Sequence, residues 1–277
     1  MMQFYVDDII KKALLEDINY IDMAADNLLP ESHISTAKFL AKANGILCGV
    51  DVALRVFELL GNIKITKLLN DGAEIKKGDI IAEISGPTAL ILKGERTALN
   101  LIQHMSGIAT MTNEAVKLVE GTRATVADTR KTLPGRRALQ KYAVTCGGGK
   151  NHRFNLSDAA MLKDNHIDAC GSITNAVKTL REKIGHTVKI EVETRNLQEV
   201  KEALSTGCEI IMLDNMDCDT MKKAVEMADG KALLEASGNI TAETISAVAK
   251  TGVDIISIGA LTHSVKAFDI SLKISKS

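Results

Sequence analysis

The chain has 277 residues and a nearly balanced charge, 34 Lys and Arg against 35 Asp and Glu, which excludes a polyanion binder working by bulk phosphate neutralisation. Aromatic residues make up 3%, with no Trp, leaving little for stacking bases or sugars. The 45% hydrophobic content and 3 Pro describe a folded chain, long enough for one large or two modest domains.

Five cysteines (Cys48, Cys146, Cys170, Cys208 and Cys218) form no C-x-x-C pair, so neither a disulfide framework nor a zinc knuckle is expected. The start of the chain turns acidic at Asp7-Asp8 without a basic and apolar leader, and no stretch approaches the roughly 18 apolar residues of a membrane span. The expectation is a soluble, cytoplasmic protein.

In chain order, residues 6–16 place Ile9, Ile10, Ala13, Leu14 and Leu15 at helical spacing. Ser35 to Leu47 reads as two strands broken at Asn44-Gly45, a hairpin signal. Val50 to Leu60 is a helical run stopped by Gly61. Two strand-like runs follow, Ile63–Leu69 and Asp79–Ser85. The stretch Asp71 to Ala82 has a faint likeness to a biotinyl or lipoyl carrier. Its lysines flank a turn glycine without the carrier signature, so a small β-rich domain is the better reading.

From about residue 124 a different rule governs. Short apolar runs recur roughly every 21–36 residues, at Ala124–Ala127, Ala160–Leu162, Val188–Val192, Ile210–Leu213, Ala232–Leu234 and Ile255–Ile258, with helical patterns between them. Gly121, Gly185, Gly207, Gly230 and Gly252 precede five of these runs, as helix stops would. Asn196 to Glu199 offers a capping box. Strand–helix alternation predicts βαβ units and a parallel sheet, either open or closed into a barrel.

Ligands in such folds bind at the carboxyl ends of the strands. Those ends carry Asp128-Thr129-Arg130-Lys131, Lys163-Asp164, Glu193-Thr194-Arg195, Asp214-Asn215, Glu235-Ala236-Ser237-Gly238-Asn239 and Ser257-Ile258-Gly259-Ala260. Early strands end in cations and later ones in carboxylates, which predicts a bipolar pocket. Between Thr129 and Arg153 lie seven Lys or Arg and no acid, a concentration that calls for an anion. Arg136, Arg137 and Lys141 follow Pro134 on a helical segment and read equally well as a solvated face. Ser237 to Asn239 and Ile258 to Ala260 lie between strand and helix, where small residues let amides face a phosphate. Glu193 and Asp214, oxygen donors without zinc-type His partners, suit Mg²⁺ or acid–base work.

Glu95-Arg96-Thr97-Ala98-Leu99-Asn100, Asp128 to Thr132, Gly147-Gly148-Gly149 with Asn151-His152-Arg153, and Leu162 to Ile167 closely resemble quinolinate phosphoribosyltransferases. Glu191-Val192-Glu193, Met212 to Asn215, Glu235 to Gly238 and Gly259 to Ser264 continue the likeness in order over nearly the whole chain. The resemblance implies an α/β fold, with an N-terminal α/β sandwich domain (1–112) joined to an incomplete, open α/β barrel of parallel strands (113–264). A C-terminal strand near 265–277 would pack back on the first domain. It implies transfer of phosphoribose from phosphoribosyl pyrophosphate to quinolinate, with loss of pyrophosphate and CO₂, to give nicotinate mononucleotide for NAD biosynthesis.

By the same resemblance, Arg130, Lys131, His152, Arg153 and Lys163 hold the dicarboxylate beside Thr129, and Arg96 enters from the partner subunit of a homodimer. Glu193 and Asp214 face the ribose and Mg²⁺-pyrophosphate. Lys131, Lys163, Glu193 and Asp214 form the catalytic set. Ser237, Gly238, Asn239, Ile258, Gly259 and Ala260 cradle the 5′-phosphate, with His263 nearby. Two positions depart from the family pattern: Asn155, where glycine is common, and the segment Glu16 to Asp22. A related molybdenum-locus protein, a nicotinate phosphoribosyltransferase and a non-catalytic metabolite sensor are the competing readings. The full set of cations beside both carboxylates argues against each.

Overall fold

The computed structural model describes residues 3–275, and the chain divides into two compact units. One unit gathers the chain up to residue 113, residues 132–148 and the chain from 262 onward; the other comprises 114–131 and 149–261. Among the described residues no helix is long and apolar enough to cross a membrane.

The chain begins with α1 (Gln3–Ile18), α2 (Ala25–Leu28), β1 (Ile34–Ala41), β2 (Gly45–Ile46) and α3 (Val50–Leu60). There follow β3 (Lys64–Lys67), β4 (Glu74–Ile75), β5 (Ile80–Pro87) and the long α4 (Thr88–Leu118). Next come β6 (Thr125–Ala127), α5 (Arg137–Cys146), β7 (Ala160–Leu162), α6 (Asp164–Cys170) and α7 (Ile173–Arg181). Strict alternation then runs through β8 (Ile190–Thr194), α8 (Leu197–Ser205), β9 (Ile210–Asp214), α9 (Cys218–Ala228), β10 (Leu233–Ser237), α10 (Ile245–Ala249) and β11 (Ile255–Ser257). The last elements are α11 (Ala260–His263) and β12 (Ile270–Ile274).

In the first unit, β12, β1, β5 and β3 form an antiparallel sheet in that order. Strand β1 buries alternate residues, Ser35, Ala37, Phe39 and Ala41, as a sheet with one covered face requires. Helix α3 places Val50, Ala53, Leu54 and Phe57 on one buried stripe. Phe57 meets Phe39 edge-on, ring centroids 6.0 Å apart, and both rings are buried. The helix stops at Gly61, whose φ of +82° suits glycine.

The hairpin expected at Asn44-Gly45 does not form. Strand β1 pairs with β5 and β12, whereas β2 pairs antiparallel with β4. Gly45 is not a turn residue: a Cβ there would lie 2.5 Å from both the Phe268 ring and Thr110 Oγ1, so glycine serves close approach instead. Asn44 accepts the Lys77 amide through Oδ1 at 2.9 Å, tying two loops rather than reversing a strand.

The second unit is built on a six-stranded parallel sheet of order β6-β11-β10-β9-β8-β7, with no pairing between β6 and β7 among the described residues. The barrel is therefore open. Ile190, Val192, Ile211, Leu213, Ala236 and Ile256 are buried, and α8, α9 and α10 pack on the strands they follow or precede. The starts of α7, α8 and α9 are fixed locally. Ser172, Asn196 and Asp217 accept the amides of Asn175, Glu199 and Thr220. Only half of the expected capping box forms, because the Glu199 carboxylate turns to the Arg195 amide at 2.7 Å.

At the β6 edge, Lys150 makes a parallel bridge to Ala127, its amide donating to Val126 and its carbonyl accepting from Asp128. That bridge carries Asn151, His152 and Arg153 to the carboxyl end of β6. All strand ends that bear charged residues thus lie along one edge of the sheet.

Candidate active site

Side chains alternate along a strand, so residues two apart share a face. On β8 the shared pair is Glu191 and Glu193, on β9 Met212 and Asp214, and on β10 Glu235 and Ser237. The register places Glu193 opposite Met212, Met212 opposite Glu235, and Asp214 opposite Ser237. The intervening Val192, Leu213 and Ala236 are buried on the other face. A cavity of about 420 Å³ opens over the polar face, entirely within the second unit. Its cationic side is lined by Arg130, Lys131, His152, Arg153 and Lys163, with Thr129 beside them. Its acidic side is lined by Glu193, Asp214 and Glu235, and Ser237 and Ser257 complete the wall.

The cations are held by local structure. Thr129 Oγ1 accepts the Lys131 amide at 3.0 Å, which bends the chain just after β6. Arg153 donates to the Ala159 carbonyl (3.1 Å) and reaches Met161 Sδ (3.4 Å). Burial and the nearby Arg130 charge both depress the Arg153 pKa, so two guanidinium groups face one cavity and repel. An anion between them relieves that repulsion. Lys163 precedes α6, and its amide donates to His166 Nδ1 at 3.0 Å. Lys163 Nζ lies 3.8 Å from Glu193 Oε2 with both side chains partly solvated, a loose pair that an incoming carboxylate can displace.

His152 sits over two carboxylates, Glu191 and Glu235, to which the sequence motifs assigned no role. Its Nε2 is 3.1 Å from Glu191 Oε2 and 3.5 Å from Glu235 Oε1, and both carboxylates are almost fully buried. Two contacts pull on the ring in opposite directions. Nδ1 accepts the Arg153 amide at 2.7 Å, which suits a neutral imidazole, whereas the carboxylates favour the imidazolium. Burial also opposes the charge, but two anions outweigh one amide hydrogen bond in a dry site. The pKa is pushed up to about 10. Burial, and Glu235 alongside, raise the Glu191 pKa, and the His152 hydrogen bond opposes that rise. The His152 amide donates to the buried Asp128 at 2.8 Å, locking the backbone beneath the ring.

On the acidic side, burial raises the Glu193 pKa; the Lys163 charge opposes that rise, and Asp214 reinforces it. Asp214 accepts from its neighbour Asn215 at 2.9 Å. Asn215 (φ 52°) and Asn239 (φ 48°) are left-handed and joined by a 3.0 Å side-chain hydrogen bond, with Gly238 (φ 97°) between the strand and Asn239. Ser257 Oγ is buried against the cavity with no partner among the described residues, a hydroxyl ready for a ligand.

Not every expected residue falls in this cavity. Ile258 is buried, and its amide already donates to the Ala127 carbonyl at 2.9 Å, so it offers no donor to a phosphate. Gly259 and Ala260 follow it at the start of α11. Arg96 and His263 belong to the first unit and are exposed; His263 Nδ1 faces Ser264 Oγ at 2.7 Å. Arg96 lines a separate cavity of about 270 Å³ with Glu16, Asp17, Asn100, His104 and Arg136. Burial and the Arg136 charge lower the His104 pKa there. The atypical segment beginning at Glu16 therefore contributes acids beside Arg96. Asn155 is not left-handed: it caps its own turn, accepting the Ser157 amide at 2.7 Å. Lys141, read as part of a solvated face, is fully buried inside the first unit.

The family model for the quinolinate phosphoribosyl transferase N-terminal domain matches residues 22–106, and the C-terminal domain model matches residues 108–273. A Bacillus subtilis protein, a probable carboxylating nicotinate-nucleotide pyrophosphorylase, is 44% identical over 100% of this chain and 96% of its own. A mitochondrial decarboxylating quinolinate phosphoribosyltransferase from Nicotiana tabacum is 42% identical over 96% of this chain and 81% of its own. The solved nicotinate-nucleotide pyrophosphorylase from Francisella tularensis superposes with a TM-score of 0.95 at 43% identity, covering 99% and 98% of the two chains.

Proposed function

This chain belongs to the quinolinate phosphoribosyltransferase family, and we propose that its second-unit cavity transfers phosphoribose from phosphoribosyl pyrophosphate to quinolinate with decarboxylation. The products are nicotinate mononucleotide, pyrophosphate and CO₂. The observation that carries this reading is the bipolar wall: Arg130, Lys131, Arg153 and Lys163 on one side, Glu193 and Asp214 on the other. A planar dicarboxylate answers the first side and a cationic sugar the second.

Arg130 and Arg153 bind the two substrate carboxylates, with the guanidinium fork matching carboxylate geometry. His152, charged by its buried acids, adds a fixed positive group. Lys163 turns from Glu193 to the substrate and orients the ring nitrogen toward the ribose carbon. As pyrophosphate departs, positive charge grows on the sugar, and Glu193 and Asp214 stabilise it. Their mutual repulsion is relieved by the same charge. Once the ring nitrogen is alkylated, its positive charge stabilises the electron pair left on the adjacent ring carbon as the carboxylate leaves as CO₂, and a proton from solvent then takes the vacated position. The protein's part in that step is to hold the ring and exclude water. Ser237, Gly238 and Asn239, with the Ser257 hydroxyl, suit the 5′-phosphate.

Glu193 and Asp214 also fit Mg²⁺, since they are oxygen donors only and a dication offsets their repulsion. When bound with pyrophosphate, the ion neutralises charge on the leaving group. Arg96, exposed on α4, completes the site of a partner subunit in a homodimer. Charged and phosphorylated substrates, which do not cross a membrane unaided, support the expected cytoplasmic location.

Incubation with phosphoribosyl pyrophosphate, Mg²⁺ and either quinolinate or nicotinate tests the substrate assignment. Mononucleotide and CO₂ from quinolinate, with nicotinate left unchanged, are the expected result. Preferential use of nicotinate contradicts it.

A further inference from the structure

Cys48 and Cys146 are distant in sequence and carry no metal-binding spacing, yet the first unit brings them together. Cys48 Sγ, Cys146 Sγ and an Asp71 carboxylate oxygen all lie within 4.8 Å of one another. Each group is held by its own element. Cys48 is fully buried just before α3, and the Ser106 hydroxyl bonds both its amide and its carbonyl at 3.0 Å. Gly49, at φ +91°, turns the chain from there into the helix. Asp71 caps α3, accepting the Val50 amide through Oδ1 at 2.9 Å, while the Tyr142 hydroxyl donates to Oδ2 at 3.0 Å. Cys146 is the last residue of α5, at the negative end of that helix. No salt bridge joins Asp71 to a Lys or Arg among the described residues, so a carboxylate and two thiols that can ionise converge without a cation of the protein's own.

We propose that Cys48, Cys146 and Asp71 form a site for a borderline-soft divalent cation, Zn²⁺ being the best match, outside the catalytic cavity. Tetrahedral zinc with Zn–S near 2.3 Å sets its sulfurs about 3.8 Å apart, so the present spacing closes with small side-chain rotations. Binding releases the two thiol protons to solvent and leaves two thiolates and a carboxylate on the ion. Tyr142 acts from outside the ligand set, orienting Asp71 as a supporting hydrogen bond. Cys146 and Asp71 are half-buried, so solvent reaches the cluster, and a water would supply the fourth ligand. The thiols already interact: burial and the contact with Cys146 push Cys48 up, and the Cys48 S–H holds Cys146 down. The ion would staple the entry of α3 to the end of α5 and the turn at Asp71-Gly72.

The test is titration of the reduced full-length protein with Cd²⁺ as a spectroscopic probe, followed by Zn²⁺ competition. One equivalent of Cd²⁺ should give a thiolate charge-transfer band, lost in Cys48→Ser and in Cys146→Ser but kept in Cys170→Ser, where the thiol is exposed and belongs to the second unit. Zn²⁺ should displace Cd²⁺ and raise the Tm of the wild type but not of Cys146→Ser. Cys146 is half-buried, and circular dichroism on that variant verifies folding should Cys48→Ser fail to fold. Absence of the band in the reduced wild type overturns the proposal, as does its persistence in a folded Cys146→Ser protein. Formation of a Cys48–Cys146 disulfide in air that excess Zn²⁺ does not prevent also overturns it.

Discussion

His152 shows how a single residue's state is set by its neighbours. Its pKa in the fold lies above the reference of 6.5, at about 10. The imidazolium therefore contributes stability fully below pH 6.5, and that contribution is lost as pH rises through 10. Removing one buried anion weakens the charge. Glu235→Gln should shift the alkaline limb of the kcat/KM profile for quinolinate to lower pH, with the His152 ring signal in NMR moving in parallel; an unmoved limb would show that Glu235 does not charge the ring. At this scale the strand-end residues Arg130, Lys163, Glu193 and Asp214 were legible, because charge seldom resumes inside a buried parallel strand. Glu191, Glu235, Met212 and Ser257 stood in the quoted motifs and strand ends without being assigned a role in the site. The signal for the two glutamates was present as Glu-x-Glu and Glu-x-Ser: in a strand, a polar residue two before a site residue faces the same way. Lys141 was misread because a charge on a helix suggests solvent, and nothing local reveals that its face is covered.

At the scale of elements, turns carry the chemistry that strands only aim. Gly238 ends β10 with φ +97°, and a Cβ there would overlap the Asn215 side-chain amide. Gly238→Ala should cost about 1–3 kcal/mol of local strain and disturb the Asn215–Asn239 pair. The KM for phosphoribosyl pyrophosphate should then rise by roughly tenfold with little change in that for quinolinate, as steady-state kinetics would report. An equal rise in both would place the turn away from the phosphate. The repeating βα period was readable because strand runs and helix stops alternate regularly from residue 124 onward. Pairing was not readable in the first unit. Gly45 looked like a turn residue, whereas its lack of a side chain serves the ring of Phe268, far away in sequence. Glycine signals that something is close; it does not say whether that is the chain's own reversal or another segment.

Over the whole molecule, the near-zero charge conceals a division. Seven cations and no acids occupy residues 129–153, while 14 acids face 9 bases from Ile190 to the end. The fold splits that cationic stretch, since residues 132–148 belong to the first unit and Arg130, Lys131, Lys150 and Arg153 to the second. Pooling by sequence therefore overstated the cations at the catalytic cavity, although those that remain suffice for a dicarboxylate. The proposed sharing of the site between the subunits of a homodimer makes its own prediction. Arg96→Ala and Lys163→Ala should each be nearly inactive, but mixing them through dissociation and reassembly should restore about a quarter of wild-type activity, since half the dimers then hold one intact site of two. No recovery in verified heterodimers would place Arg96 outside the partner's site. The central claim, that the cavity alkylates the ring nitrogen before CO₂ departs, is tested most directly with quinolinate radiolabelled in the carboxyl adjacent to nitrogen. Label should appear as CO₂ one-for-one with pyrophosphate, and only when phosphoribosyl pyrophosphate is present. Retention of the label in the mononucleotide, or its release without phosphoribosyl pyrophosphate, would contradict the account.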